Sequence, residues 1–248
     1  MPSPSARQPS DMLLRKLESI AAISGNTRRA VQELPFNVRT LRGAQDIVSN
    51  GDSPSQCCLL VEGWAFRYKL TGKGRRQVLS FDVPGDIPDL GGLHLPTMDY
   101  GLATLGGAIV AFIPHQSLRA MVGSYPDVAA ILWRLTLVDS AVLREWIVGL
   151  GQRSACAHIA HLFCELYLRL EAVGLASGHR CSLPMTQAML GDALGLSTVH
   201  VNRVLQELRG MGLITFSGQV LVIQRWDELR RVAQFDPVYL HLAARPGG

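Results

Sequence analysis

Residues 184–215 read PMTQAMLGDALGLSTVHVNRVLQELRGMGLIT, and no other stretch says as much about the fold. The hydroxyl of Thr186 can cap a first helix, in which Met189, Leu190, Ala193 and Leu194 recur at the spacing of one buried face. Gly191 is small where a second helix must cross. Gly195 ends the helix because a left-handed backbone costs glycine little; Leu196 fills the gap and Ser197 caps the helix that follows. There Val201, Val204, Leu205 and Leu208 form the inward stripe, and Thr198, Val199, His200, Asn202, Arg203 and Gln206 include the outward positions. Two helices joined this way present the amino end of the second to a DNA major groove. An αα-hairpin in an ordinary helical core is the plainer alternative. Against it, the crossing glycine, turn glycine, capping serine and an apolar residue four past the cap all fall in register.

The residues after this pair extend the pattern. Gly212 to Phe216 and Gln219 to Ile223 are β-prone runs separated by Ser217-Gly218, a tight hairpin turn. Helix, helix, hairpin is the order of a winged helix. Thr215, Ser217 and Gln219 are the wing positions that can meet a DNA backbone, although such a hairpin also serves as packing support. Trp226 to Phe235 then reads as a short amphipathic helix stopped at Phe235-Asp236-Pro237.

The chain has 248 residues, 48% hydrophobic and 18% charged, enough for two ordinary domains. No apolar run approaches the roughly 20 residues of a membrane span, and the first ten residues lack the apolar core of a signal peptide. The expected setting is therefore the cytoplasm, without a membrane partner. A net charge of +4 and a pI near 8.9 are compatible with nucleic acid and too mild to establish it. Apart from Lys16, Lys69 and Lys73 the cations are arginines, which suit bidentate contacts to phosphate and guanine; GC-rich coding gives the same bias. Cys57, Cys58, Cys156, Cys164 and Cys181 are odd in number and irregular in spacing, which speaks for a reducing compartment. With no C-x-x-C pair they argue against a structural zinc site or a cysteine-held iron–sulfur cluster. Cys181 sits just before the first DNA-reading helix, where its oxidation could disturb binding; a small half-buried hydrophobe is the plainer reading.

Between Phe36 and Pro114 short strand-like runs dominate: Cys58–Val61, Trp64–Tyr68, Gln77–Phe81 and Ala108–Ile113, split by Glu62-Gly63, by Thr71 to Gly74 and by Pro84-Gly85-Asp86. Such spacing implies a small barrel or jelly roll. The Gly72-Lys73-Gly74-Arg75-Arg76 segment bridges two strands and precedes no helix, so it reads as a hairpin turn and not a phosphate cradle. From Tyr125 to Gly149 runs a long helix in which Val128, Ile131, Leu135, Val138 and Val142 recur at three, four, three and four residues, the seam of a two-helix interface. Leu132, Trp133, Leu143 and Trp146 form a second stripe that can rest on the barrel. A homodimer is expected, because such a reader needs two half-sites; packing of the seam within one subunit is the alternative. Gly149-Leu150-Gly151 is expected to break this helix as a hinge, and a second helix, Gln152 to Glu171, turns Ile159, Leu162, Phe163 and Leu166 inward.

The expected fold class is thus α+β: an N-terminal β jelly roll or barrel, a long dimerisation helix and a C-terminal winged helix-turn-helix. Residues 1–12 are assigned to a disordered leader, 13–124 to a sensor barrel, 125–150 to the dimerisation helix and hinge, 151–226 to DNA binding and 227–248 to a C-terminal helix and tail. From about Leu13 to Phe235 this chain resembles the Crp/Fnr family of bacterial transcription regulators. The resemblance rests on Leu190, Gly191, Leu194 to Ser197, Val201 and Arg203 to Leu205, and on Val61-Glu62-Gly63, Gly74 to Gln77 and Pro84-Gly85-Asp86. It implies a regulator and not an enzyme: a homodimer that binds a palindromic promoter site in double-stranded DNA and touches RNA polymerase. It also places Ser197, Thr198, Val199, His200 and Arg203 against DNA, with Arg203 reading a base; Thr186, Gln187 and Asn202 complete the candidate set.

Two departures matter. The family's usual glutamate is Val199 here, which can meet a thymine methyl and cannot accept from cytosine. Where cyclic-nucleotide binders hold the phosphate with arginine, Asp99 to Thr104 offers none, and a buried anion without a countercharge is costly; this argues against cyclic AMP. The iron–sulfur members' cysteine cluster is absent, and His94 with Pro2 gives only a slender case for haem. The effector therefore stays unassigned. The competing reading is a small-molecule-binding barrel whose winged helix docks a protein, but His94 and His115 make no metal triad for catalysis. A steep salt dependence of duplex binding separates the two.

Overall fold

The computed structural model describes residues 7–243. They form two compact units: one runs to Lys69, resumes over Phe81–Leu137 and takes in Leu242, and the other comprises Leu70–Ser80 and Val138–His241.

The first unit begins with α1 (Pro9–Glu18) and α2 (Gly25–Gln32). Ser24 caps α2 by accepting from the Thr27 N–H. The leader assigned to 1–12 is corrected over its last residues: α1 starts at Pro9, and Met12, only 1% exposed, belongs to the core. Proline at the first helical position and apolar residues at 12, 13, 14 and 17 account for the helix. Residues 1–6 lie outside the described residues.

The barrel strands are β1 (Asn37–Leu41), β2 (Asp46–Val48), β3 (Gln56–Glu62), β4 (Ala65–Leu70), β5 (Arg76–Asp82), β6 (Gly101–Thr104) and β7 (Ala108–Pro114). They form a three-stranded sheet, β1-β7-β3, and a four-stranded sheet, β2-β6-β4-β5. Val48, Cys58, Leu60, Ala65, Leu102 and Val110 share one apolar cluster. Cys57 and Cys58, on opposite faces of β3, are both buried because that strand is covered on both sides. The segment between β4 and β5 is a turn, as its glycines suggest: the Gly74 N–H donates to Thr71 O at 2.8 Å, with Gly74 at φ +71°.

Behind the barrel come α3 (His115–Ser124) and α4 (Pro126–Gln152). Two expectations are corrected on α4. The helix runs through Gly149 and Gly151 without a break and ends before Ser154, which caps α5 (Ala155–Ala172) by accepting from the Ala157 N–H at 3.2 Å. Gly149 serves close packing, since a Cβ there would lie 2.4 Å from Nε2 of His158. The expected dimer seam is largely consumed inside the chain: Val128, Ile131 and Val142 are buried, with Leu135 and Val138 half-buried. The open apolar stripe is Trp133, Leu137 and Ile147, which are 69%, 57% and 67% exposed. A helix carrying two apolar stripes gives no sequence signal for which one faces its own subunit, and Trp133 had been grouped with the inward one.

In the second unit α5 packs against α6 (Gln187–Leu194), α7 (Thr198–Gly210) and α8 (Trp226–Ala233). Ile159, Leu162, Phe163 and Leu166 are buried there, and so is Glu165, which accepts from Trp146 Nε1 at 3.2 Å and Tyr239 Oη at 2.9 Å and pairs with Arg169 at 3.2 Å. Burial raises the Glu165 carboxyl pKa, and those three donors oppose the shift. Beside it, burial and the Arg153 guanidinium hold His158 and His161 down to about 4, so both rings are neutral at pH 7.

Candidate nucleic-acid interface

The helix pair is built by its caps. Thr186 Oγ1 accepts from the Met189 N–H at 3.2 Å and Ser197 Oγ from the His200 N–H at 3.2 Å, each satisfying a helix-start donor. Gly195 ends α6 at φ +67°, the left-handed region that any side chain would strain. Gly191 lies where the connection crosses: a Cβ there would sit 2.6 Å from Leu196 O. Leu190, Ala193 and Leu194 on α6, with Val201, Val204, Leu205 and Leu208 on α7, are buried.

That packing turns the other face outward. Thr186, Ser197, Thr198, Val199, Asn202 and Arg203 are exposed, with Gln187 and His200 half-buried. Val199 is 81% exposed, an apolar side chain left in water at the amino end of α7. Asn202 Nδ2 donates to Gln187 Oε1 at 3.2 Å, pinning α7 to the start of α6. Arg203 Nη2 lies 3.0 Å from His200 Nε2. Asp192 is the one acid between 184 and 206, and Arg76 of the same unit holds it through Nε at 3.0 Å and Nη2 at 2.8 Å. Helix amino ends, donors and an arginine with no acidic partner among the described residues suit a polyanion.

The wing is β9 (Ile214–Ser217) and β10 (Val220–Ile223), joined by Gly218 and Gln219 at φ +56° and +64°, the primed turn that matches strand twist. Thr215, Ser217 and Gln219 are exposed. A third strand escaped the sequence reading: β8 (Arg180–Ser182) pairs with β10, Cys181 opposite Leu221. Three residues are too few to show alternation. Arg209 was missed as well; its Nη2 donates to Phe216 O and ties the end of α7 to the wing. Cys181 is buried and its thiol is pushed up to about 11 by that burial, so the reactive thiolate is scarce at neutral pH.

The barrel residues compared with a nucleotide site are engaged internally. Asp86 pairs with Lys16 at 2.7 Å and accepts from the Val83 N–H, Tyr100 Oη donates to Pro88 O, and Thr104 Oγ1 donates to Gly43 O. Arg67, the buried cation nearby, holds Asp82 at 3.2 Å. This set does not fit a nucleotide phosphate. His94 is exposed, and Pro2 lies outside the described residues.

Residues 157–232 match the family model of the Crp-like helix-turn-helix domain. Over 192 residues the chain is 27% identical to the regulatory protein HlyX of Actinobacillus pleuropneumoniae, covering 77% of this chain and 79% of that one. It is 24% identical to the fumarate and nitrate reduction regulatory protein of Escherichia coli K12, covering 79% and 78%. Among solved structures, FixK2 from Bradyrhizobium japonicum aligns at a TM-score of 0.72 and 27% identity, over 80% of this chain and 98% of that one. Residues 157–232 thus carry a Crp-like helix-turn-helix domain. The chain is accordingly a DNA-binding transcription regulator and not an enzyme, with the mixed helix and strand fold of the Crp/Fnr regulators it resembles. None of its helices among the described residues is long and apolar enough to cross a membrane.

Proposed function

We propose that this regulator acts in the cytoplasm as a homodimer on a palindromic promoter site, reading each half-site with α7 and engaging RNA polymerase from there. Ser197, Thr198, Val199, Asn202 and Arg203 meet bases and phosphates, His200 stands among them on the same DNA-facing side of α7, and Thr186 with Gln187 meets the backbone. The observation that carries this reading is the exposed amino end of α7, where Val199 and Arg203 stand out of the fold beside a capped helix start. Neither residue supports the core, which leaves both side chains available to a ligand. A thymine methyl suits Val199, and guanine O6 and N7 suit Arg203.

The region 13–124 is the sensor, for a signal that its residues do not name. Its output passes along α4 (125–150) to 151–226, changing the separation of two recognition helices that must match about one turn of DNA. Of the tail assigned to 227–248, the residues as far as His241 belong to the second unit. Dimerisation uses the open stripe of Trp133, Leu137 and Ile147, whose spacing continues through Ser140 and Arg144 at four, three, four and three residues.

Arg203→Ala tests the site. It should cost about 1–3 kcal/mol on the selected operator and leave random duplex binding unchanged. Fluorescence anisotropy on both duplexes reads this, and equal losses on the two would remove Arg203 from base reading.

A further inference from the structure

The recognition helix contains a contact that the family resemblance does not assign. Arg203 Nη2 stands 3.0 Å from His200 Nε2, one turn earlier on α7. A guanidinium only donates, so in this contact Nε2 is the acceptor and the ring N–H lies on Nδ1. Residues three apart on a helix are neighbours, and a long flexible side chain gains one preferred direction from such a bond. The bond uses one N–H of Arg203 and leaves Nη1 with the second Nη2 proton for a bidentate contact to a base edge. No carboxylate on α7 precedes Glu207, so an imidazole nitrogen accepts here where an acid could otherwise do so.

We infer that His200 is a positioning residue: it sets the Arg203 guanidinium for guanine and so fixes specificity at one base pair without itself reading that base. The inference rests on the assignment of Arg203 to base reading. Asn202 is excluded from the same task because adjacent residues on a helix do not face each other, and its amide is turned to Gln187 Oε1.

The test uses the full chain and an operator selected from random duplexes. Arg203→Ala first defines the base pair whose discrimination depends on Arg203. His200→Leu, which removes the acceptor, should lose about tenfold in discrimination at that same base pair, with an unchanged thermal melt and circular dichroism spectrum as evidence of a folded α7. His200→Gln, whose carboxamide oxygen can accept from Arg203, should restore it. Wild-type discrimination in His200→Leu would overturn the proposal, and so would a loss at a different base pair, which would make His200 a direct reader. An Arg203→Ala variant that discriminates normally would overturn the underlying assignment, a result separable from either of those.

Discussion

Asp89 carries the most costly unsatisfied charge site in the barrel. Its Oδ1 accepts from the Cys58 N–H at 2.8 Å, while Oδ2 is buried with no hydrogen-bond partner among the described residues. Burial pushes the carboxyl from 3.8 up to about 7. Between those values the folded state keeps a proton that the unfolded chain releases. The stability from this group is therefore full below about pH 4 and lost as pH rises through about 7. Asp89→Asn keeps an acceptor for Cys58 and has nothing to titrate, so it should gain on wild type from about pH 5 to about pH 8. Urea melts across that range measure the gap; a gap that stays constant would mean Asp89 is ionised throughout. Nothing local announces this residue, because its partner lies 31 positions away. Ser197 and Gly195, in contrast, were legible at once, since a cap and a left-handed turn are chemistry of adjacent residues.

At the scale of elements, two glycines of α4 that look alike in sequence do different things. Gly149 faces His158, which is buried, whereas a Cβ on Gly151 would meet nothing within 4 Å. Gly151→Ala should therefore stabilise by roughly 0.5–1 kcal/mol through helix propensity. Gly149→Ala earns the same propensity and loses more to overpacking, a net loss expected in the range of about 1–2 kcal/mol. Adding His158→Ala should recover much of the loss, and a double-mutant cycle on thermal or urea melts reads the coupling. Independent, additive effects would return Gly149 to the role of hinge. The helix itself was legible from its apolar repeat, but its end was not. Glycine marks weak helix, and only the packed neighbour decides whether the weakness is used. Short strands were hidden for a similar reason: β2 and β8 have three residues each and exist because longer strands pair with them.

At the scale of the molecule, the order of barrel, long helix and winged helix could be read from periodicity and turn chemistry, and the outward face of α7 emerged with it. Which stripe of α4 meets a second copy could not, because a seam and an inward face share one repeat and differ only in what covers them. The exposed stripe of Trp133, Leu137 and Ile147 supports one choice and makes it measurable. In a two-fold dimer with parallel α4 helices Leu137 faces its own copy, so Leu137→Glu sets two carboxylates against each other where apolar side chains had met. Light scattering should then give the monomer mass, and affinity for the palindrome should fall toward that for a single half-site. Ile131→Ala on the buried stripe should instead cost about 2–5 kcal/mol of stability and leave the dimer mass unchanged. If Leu137→Glu stays dimeric with full operator affinity, the second copy docks elsewhere. If Ile131→Ala alone turns monomeric while its melting temperature holds, the seam belongs to the stripe that the repeat first suggested.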